Sequence, residues 1–290
     1  MKLFAFLFLA VAACSAAPAH AQTAVPEIRV CTGGESGKYF QTAREIGSEL
    51  VGALKVNVLP TNGSLDNLRQ LDAGTCDAAI VQSDAYGIYT GLNPVSKLNI
   101  ERVAPLYNEY AQLVCNKDAR INHVSDLLKD DRGVMVGPQG SGTRVTWDTW
   151  VKQNPDYAKV RVSRDAGTRA ITKAVDGTED QCFLFISGLG AGSMVQANEL
   201  AAGALTLVSV DDGSFDDVVD PKGKRVYEFS KIPSGTYPDL QNSGWFGSNQ
   251  DIQSLAIGAV LVVNTAWVDA NPRAYDDFAT EALRWVKARQ

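Results

Sequence analysis

The sequence predicts an α/β chain built as two lobes joined by two crossing strands, and three observations carry that prediction. Short β-rich segments alternate with stretches in which apolar residues recur at helical spacing. A glycine turn leads from a strand into a helix at residues 30–50, and the device returns about a hundred residues later at 136–150. Two long apolar runs, 103–114 and 255–263, break the alternation. Strand–helix alternation calls for parallel sheets covered on both faces, and the two long runs read as connections passing between two such sheets.

Taken in order, Met1, Lys2 and the apolar residues 3–13 have the charge and length of a secretory leader, with an Ala-X-Ala site around His20. Residues 1–21 are therefore expected to be a signal peptide and the chain to be periplasmic. A competing cut after Ala13 would leave Cys14 as a lipidated N-terminus. Further strands are expected at 28–31, 56–59, 77–81, 133–136, 160–162, 182–186 and 205–210. Leu65, Leu68 and Leu71 mark one helix, and Thr143, Trp147, Trp150 and Val151 another. Lobe 1 is expected at 22–108 and lobe 2 at 109–210, with 211–290 returning through the hinge and ending in helices packed on lobe 1. Ligands of such folds bind outside the carboxyl ends of the strands, at the seam.

The formal net charge of −6 becomes −7 once Lys2 leaves with the leader, and no basic stripe is visible. That balance disfavours nucleic acid as a partner. Cys31, Cys76, Cys115 and Cys182 remain in the exported chain, an even number that favours disulfides. Four cysteines allow three pairings. Pairing Cys31 with Cys76 and Cys115 with Cys182 keeps each bridge within one lobe, at about 4 kcal/mol apiece in the loop-entropy model.

Each glycine turn ends at a helix N-terminus, where unpaired amides and the positive end of the helix dipole favour a small anion. In the first, Gly33, Gly34 and Gly37 shape the turn; in the second, Pro138 and Gly140 do so, and Ser141 or Thr143 caps the helix or donates to a ligand. A third turn, TNGSLDNL, has Ser64 as its expected cap. A micromolar ligand needs about −8.2 kcal/mol, whereas a helix terminus supplies about 0.3–2 kcal/mol. Several hydrogen bonds to charged groups, roughly 1.5–3 kcal/mol each, must be added. Tyr39, Asn62, Gln82 and Ser83 are the candidates from the first lobe, and Ser141, Gly142, Thr143 and Ser187 from the second. Lys38, Arg144 and Arg169 are candidate cations, and Tyr39, Phe185 and Tyr237 candidate apolar walls.

The pieces GGESGKYF, TNGSLDNL, VQSD, GPQGSGT, FLFISG and IPSGTYP, in this order and spacing, resemble the TAXI-type extracytoplasmic solute-binding proteins of tripartite TRAP transporters. The resemblance implies a two-lobed, type II periplasmic-binding-protein fold with a hinge of two crossover strands. It also implies a small organic anion as ligand, a glutamate-like amino acid or a dicarboxylate, delivered to TRAP-type permease subunits by a monomer without a cofactor. Glu35 and Ser36 stand where the family commonly shows Thr-Gly, and Gly190 replaces a frequent proline. Both loop residues join the candidate site, and Glu35 beside the anion loop would suit a ligand that also carries an ammonium group.

A sensor system is an alternative client for the same closing cleft. An exported serine hydrolase is disfavoured, because His123 is the single histidine left after the leader and no nucleophile elbow stands between a strand and a helix. His123, in NHVSDLL, is expected to start a helix or sit at the surface. Cysteines and histidine show no metal-ligand spacing.

Overall fold

The computed structural model describes residues 25–93, 98–129, 131–200, 203–220, 223–241 and 248–289. The expected leader at 1–21 and the alternative lipidation point Cys14 lie outside them.

The elements run β1 (Glu27–Cys31), α1 (Lys38–Ser48), β2 (Lys55–Leu59), α2 (Ser64–Asp72), β3 (Ala78–Gln82), α3 (Ser83–Leu92), β4 (Ile100–Asn116), β5 (Gly133–Met135), α4 (Gly142–Gln153), β6 (Arg161–Ser163), α5 (Gly167–Asp176), β7 (Cys182–Ser187), α6 (Gly192–Leu200), β8 (Leu205–Val208), β9 (Tyr227–Ile232), β10 (Ile252–Asn264), α7 (Thr265–Ala270) and α8 (Pro272–Lys287). The strands read from the sequence are all present. β9 is an addition: Glu228, Ser230 and Lys231 interrupt its apolar pattern, as befits a strand whose one described partner is β10.

Two parallel groups, β2-β1-β3 and β7-β5-β6, are linked through the two long strands into one path, β2-β1-β3-β10-β4-β7-β5-β6. β10 lies antiparallel to β3 through 259–263 and to β4 through 256–264. At Tyr110, β4 has Ala256 of β10 on one side and Ser187 of β7 on the other. Beyond that point it pairs with β7 and β8. One 17-residue strand thus serves the first group with its beginning and the second with its end.

The cores follow the pleat. Val30 faces the cluster of Ile46, Leu261, Phe278 and Trp285, while the next residue, Cys31, faces Leu68, Leu71 and Val81. In the other half, Leu184 packs with Trp147, Trp150, Tyr157 and Phe215, and Phe183 with Ile171, Met194 and Leu240. Both faces of each half are therefore covered, by helices on each side. The apolar stripe Ala274, Phe278, Ala282 and Trp285 docks α8 on the first half, where the Trp285 indole also donates to Glu45 at 2.8 Å. Among the described residues no helix is long and apolar enough to cross a membrane.

Cys31 is bonded to Cys76 and Cys115 to Cys182. Each bridge stays within one half, the second between residues directly opposed in the β4–β7 register. Two expectations need correction. Ser64 is the first helical residue of α2 instead of its cap; Gly63, with φ of 112°, takes the cap position, and the Ser64 hydroxyl accepts from the Gln82 amide at 3.0 Å. Tyr237 is no cleft wall, because it is buried against Leu240 and Ile232 with its hydroxyl accepting from Gly190 N. His123 precedes a short 3₁₀ helix at Val124–Leu128, its ring 2.6 Å from Asp211.

Candidate functional site

Three glycine turns converge where the halves meet. The Leu65 amide at the start of α2 donates to Gly140 O at 3.1 Å, and Gly192 N at the start of α6 donates to Ser36 O at 3.1 Å. Side chains would not fit there. A Cβ on Gly142 would fall 1.5 Å from Gln82 Oε1, and one on Gly63 would lie 3.3 Å from Gly142 N. Glycine at these places lets two helix N-termini from different halves face one space.

That space has two chambers. The outer one, about 280 Å³, is walled by Pro138, Ala170, Ile171, Phe183 and Phe185 and rimmed by Ser36, Asp165 and Ser193. The inner one, about 130 Å³, is lined by Lys38, Tyr39, Ser64, Gln82, Glu109 and Ser187. Gly34, Gly37, Asn62, Ser141, Thr143 and Phe185 border both and form the neck between them.

The first-turn amides of α1 and α4, at Lys38, Tyr39, Gly142 and Thr143, have no acceptor within their own helices. In α1 no side chain caps the helix; Gly37 occupies the cap position. In α4 the Ser141 hydroxyl accepts from Arg144 N at 3.2 Å, and the Thr143 hydroxyl accepts from Ile186 N of β7 at 3.1 Å. Both hydroxyls retain a proton to donate.

The inner chamber holds a buried polar chain. Tyr39 OH donates to Glu109 Oε2 at 2.6 Å and lies 3.4 Å from Ser64 Oγ. Burial pushes the Glu109 carboxyl up to about 8, opposed by the Tyr39 hydrogen bond and reinforced by the charge of Asp84. Burial beside Glu109 also drives the Tyr39 phenol well above its ordinary range. Asp84, at the start of α3, accepts from Thr146 of α4 and from Tyr227 of β9, each at 2.8 Å. It is fully buried, and burial raises its carboxyl despite those donors. Gln82 adds a further tie between halves, its Nε2 donating to Thr146 Oγ1 at 3.0 Å.

Of the residues singled out from sequence, Ser36, Lys38, Tyr39, Asn62, Gln82, Ser141, Gly142, Thr143, Phe185 and Ser187 border one chamber or both. Glu35, Ser83 and Arg144 border neither. Glu35 is exposed. Ser83 packs beside Gly258 of β10, and Arg144 lies on the outer side of α4, paired with Asp148 at 2.8 Å. Arg169 borders neither chamber; it is paired at 2.8 Å with Asp165 of the outer rim, which Lys173 joins at 2.7 Å. Gln112 Nε2 holds Ser187 Oγ at 2.9 Å, fixing the end of β7.

Glu109 and Asp84 were not among the residues picked from sequence. The signal for Glu109 was there: it is an acidic residue inside the apolar run 103–114, a place that rejects a carboxylate unless something there engages it. Asp84 stood within VQSD, but its partners come from residues 146 and 227, which no spacing rule connects. Among the described residues no group of histidine, cysteine, aspartate and glutamate gathers to hold a metal.

The fold has wide company. The GluR0 ligand-binding core in complex with L-glutamate aligns over 92% of this chain and 95% of its own at 13% identity, with a TM-score of 0.54. A chain from the structural study of glutathione import via GshT and the cystine ABC importer TcyBC of Streptococcus mutans aligns over 91% and 90% at 12% identity, with a TM-score of 0.53. The alkanesulfonate-binding protein SsuA of Xanthomonas axonopodis pv. citri, bound to MOPS, aligns over 89% and 72% at 9% identity, with a TM-score of 0.50. At these identities the likeness is one of architecture, that of the type II periplasmic-binding-protein fold. The model of the NMT1-like family matches residues 30–271, and the chain belongs to that family.

Proposed function

We propose that this protein is an extracytoplasmic solute-binding protein that closes on a small organic anion and delivers it to TRAP-type permease subunits, without catalysis. The observation that carries this reading is the cleft itself: amides and hydroxyls of α1 and α4, from different halves, face one neck between two chambers. A ligand that bridges the neck binds the closed arrangement more strongly than either half alone, and its affinity difference sets the closed population. Proteins of this fold captured with L-glutamate and with a sulfonate buffer support the ligand class. The sequence motifs that resemble the TAXI type support the TRAP client, and the two disulfides suit an oxidising compartment such as the periplasm.

Titration calorimetry against a panel of amino acids and dicarboxylates, with small-angle scattering of the free and saturated protein, tests the reading. Micromolar binding accompanied by a fall in radius of gyration is expected. A saturating ligand that leaves the radius unchanged would refute hinge closure.

A further inference from the structure

Glu109 is a poor neighbour for an anion. It lines the inner chamber, the residue is 2% exposed, and the chamber is otherwise bordered by hydroxyls, amides, one cation, Lys38, and the apolar Phe185 and Ile186. Among the described residues its hydrogen bonding is to a single phenol, Tyr39, on Oε2. A buried carboxyl with an oxygen left for the chamber invites a donor, and a donor bearing positive charge satisfies it best.

We propose that Glu109, oriented by Tyr39, is the subsite that recognises an ammonium group, and hence that the solute is an amino acid and not a plain dicarboxylate. The inference rests on the cleft reading above and assigns the ligand's orientation within it. Its carboxylate sits at the neck, against the amides of Gly142 and Thr143 and the Ser141 hydroxyl. Its ammonium group points inward to Glu109. Its side chain extends into the outer chamber, between Ile171, Phe183 and Phe185. Tyr39 is a positioning residue here: its hydroxyl occupies Oε2 and leaves Oε1 for the ligand, while Ser64 Oγ lies 3.4 Å from the phenol.

Binding in this orientation carries a proton signature. The groups around Glu109 are Tyr39 and Lys38 from α1, Tyr107 on its own strand and Asp84 from α3. In the free protein the carboxyl titrates at about 8 and so holds its proton at pH 7. An incoming ammonium group favours the ionised form. The proton leaves to buffer, and affinity rises with pH until about 8.

The test uses calorimetry with L-glutamate and L-leucine and with their deamino counterparts, glutarate and 4-methylpentanoate, on the wild-type chain, Glu109→Gln and Tyr39→Phe. The wild type should prefer at least one amino acid over its deamino partner by about 10-fold or more. It should also release close to one proton at pH 7, read from buffers of different ionisation enthalpy. Glu109→Gln, which keeps the shape and the Tyr39 bond, should weaken that amino acid by about 10- to 100-fold, leave the deamino acid within about 3-fold, and abolish proton release. Tyr39→Phe should weaken the amino acid less and retain the release. Binding of deamino acids as tightly as amino acids, or a preference that survives Glu109→Gln, overturns the subsite while the cleft stands. Failure of all four probes to bind folded protein overturns both.

Discussion

The two halves repeat one device and use it differently. The first offers α1 with no side chain at its cap, so the amides after Gly37 are left for a ligand, and it surrounds them with Lys38, Tyr39, Gln82 and Glu109. The second uses the hydroxyls of Ser141 and Thr143 as acceptors within its own framework, leaving only their protons for a ligand, and adds the apolar walls Pro138, Ile171, Phe183 and Phe185. A strand–glycine–helix unit is thus a carrier of geometry, and the residues around it decide whether it presents charge or shape. The ionisable side chains of the cleft lie mostly in the half held by Cys31–Cys76 and α8, whereas the other half adds the start of α4 and apolar walls around a packed aromatic core in which Trp150 stacks on Phe215 at 4.3 Å.

The largest test of that contrast strikes where the halves share one group. Asp84→Ala removes the acceptor of Thr146 and Tyr227, leaving two buried hydroxyl protons without it, and should cost about 3 kcal/mol of unfolding free energy in a urea titration. A loss below about 1 kcal/mol would mean that the halves do not depend on this joint. Next in size is the pair Ser141→Ala and Thr143→Ala. Together they remove a cap and expose the Ile186 amide to an apolar surrounding, for a loss of about 2 kcal/mol in the ligand-free protein. An unchanged melting temperature would show that these hydroxyls serve the ligand alone and would erase the distinction drawn between the two loops.

The smallest effect is a pH dependence. Glu109 holds its proton up to about 8 in the folded chain against about 4.5 when unfolded, so between those values unfolding releases a proton. Its contribution is fully present below pH 4.5 and is lost as pH rises through 8. Glu109→Gln removes the loss, and its stability relative to the wild type should climb by at least about 1 kcal/mol from pH 5 to pH 8. Parallel curves for the two proteins would place Glu109 in contact with water.

What could be read from the sequence divides along physical lines. Strands and helices were legible because β-rich runs and 3.6-residue periodicity are local, and the glycine turns because positive φ at Gly63, Gly137 and Gly140 is a local demand. The crossing strands were legible from length alone. The direction of a charged side chain was not: Glu35 and Arg144 sit beside residues that border the cleft, yet one is exposed and the other is taken by Asp148 a turn away. Nor was the buried polar chain, since Glu109–Tyr39 and Asp84–Tyr227 join residues 70 and 143 positions apart. The acid expected to greet an ammonium group was Glu35. The residue with the burial and the partner for that task is Glu109.

The placement of β10 has a consequence for the order of assembly. β3 finds its antiparallel neighbour in residues 259–263, and the apolar face of α1 is closed by α8. The half that is synthesised first therefore lacks a strand and a covering helix until residues 252–287 have emerged. Closure of that half is thus tied to residues more than 150 positions downstream of its own third strand.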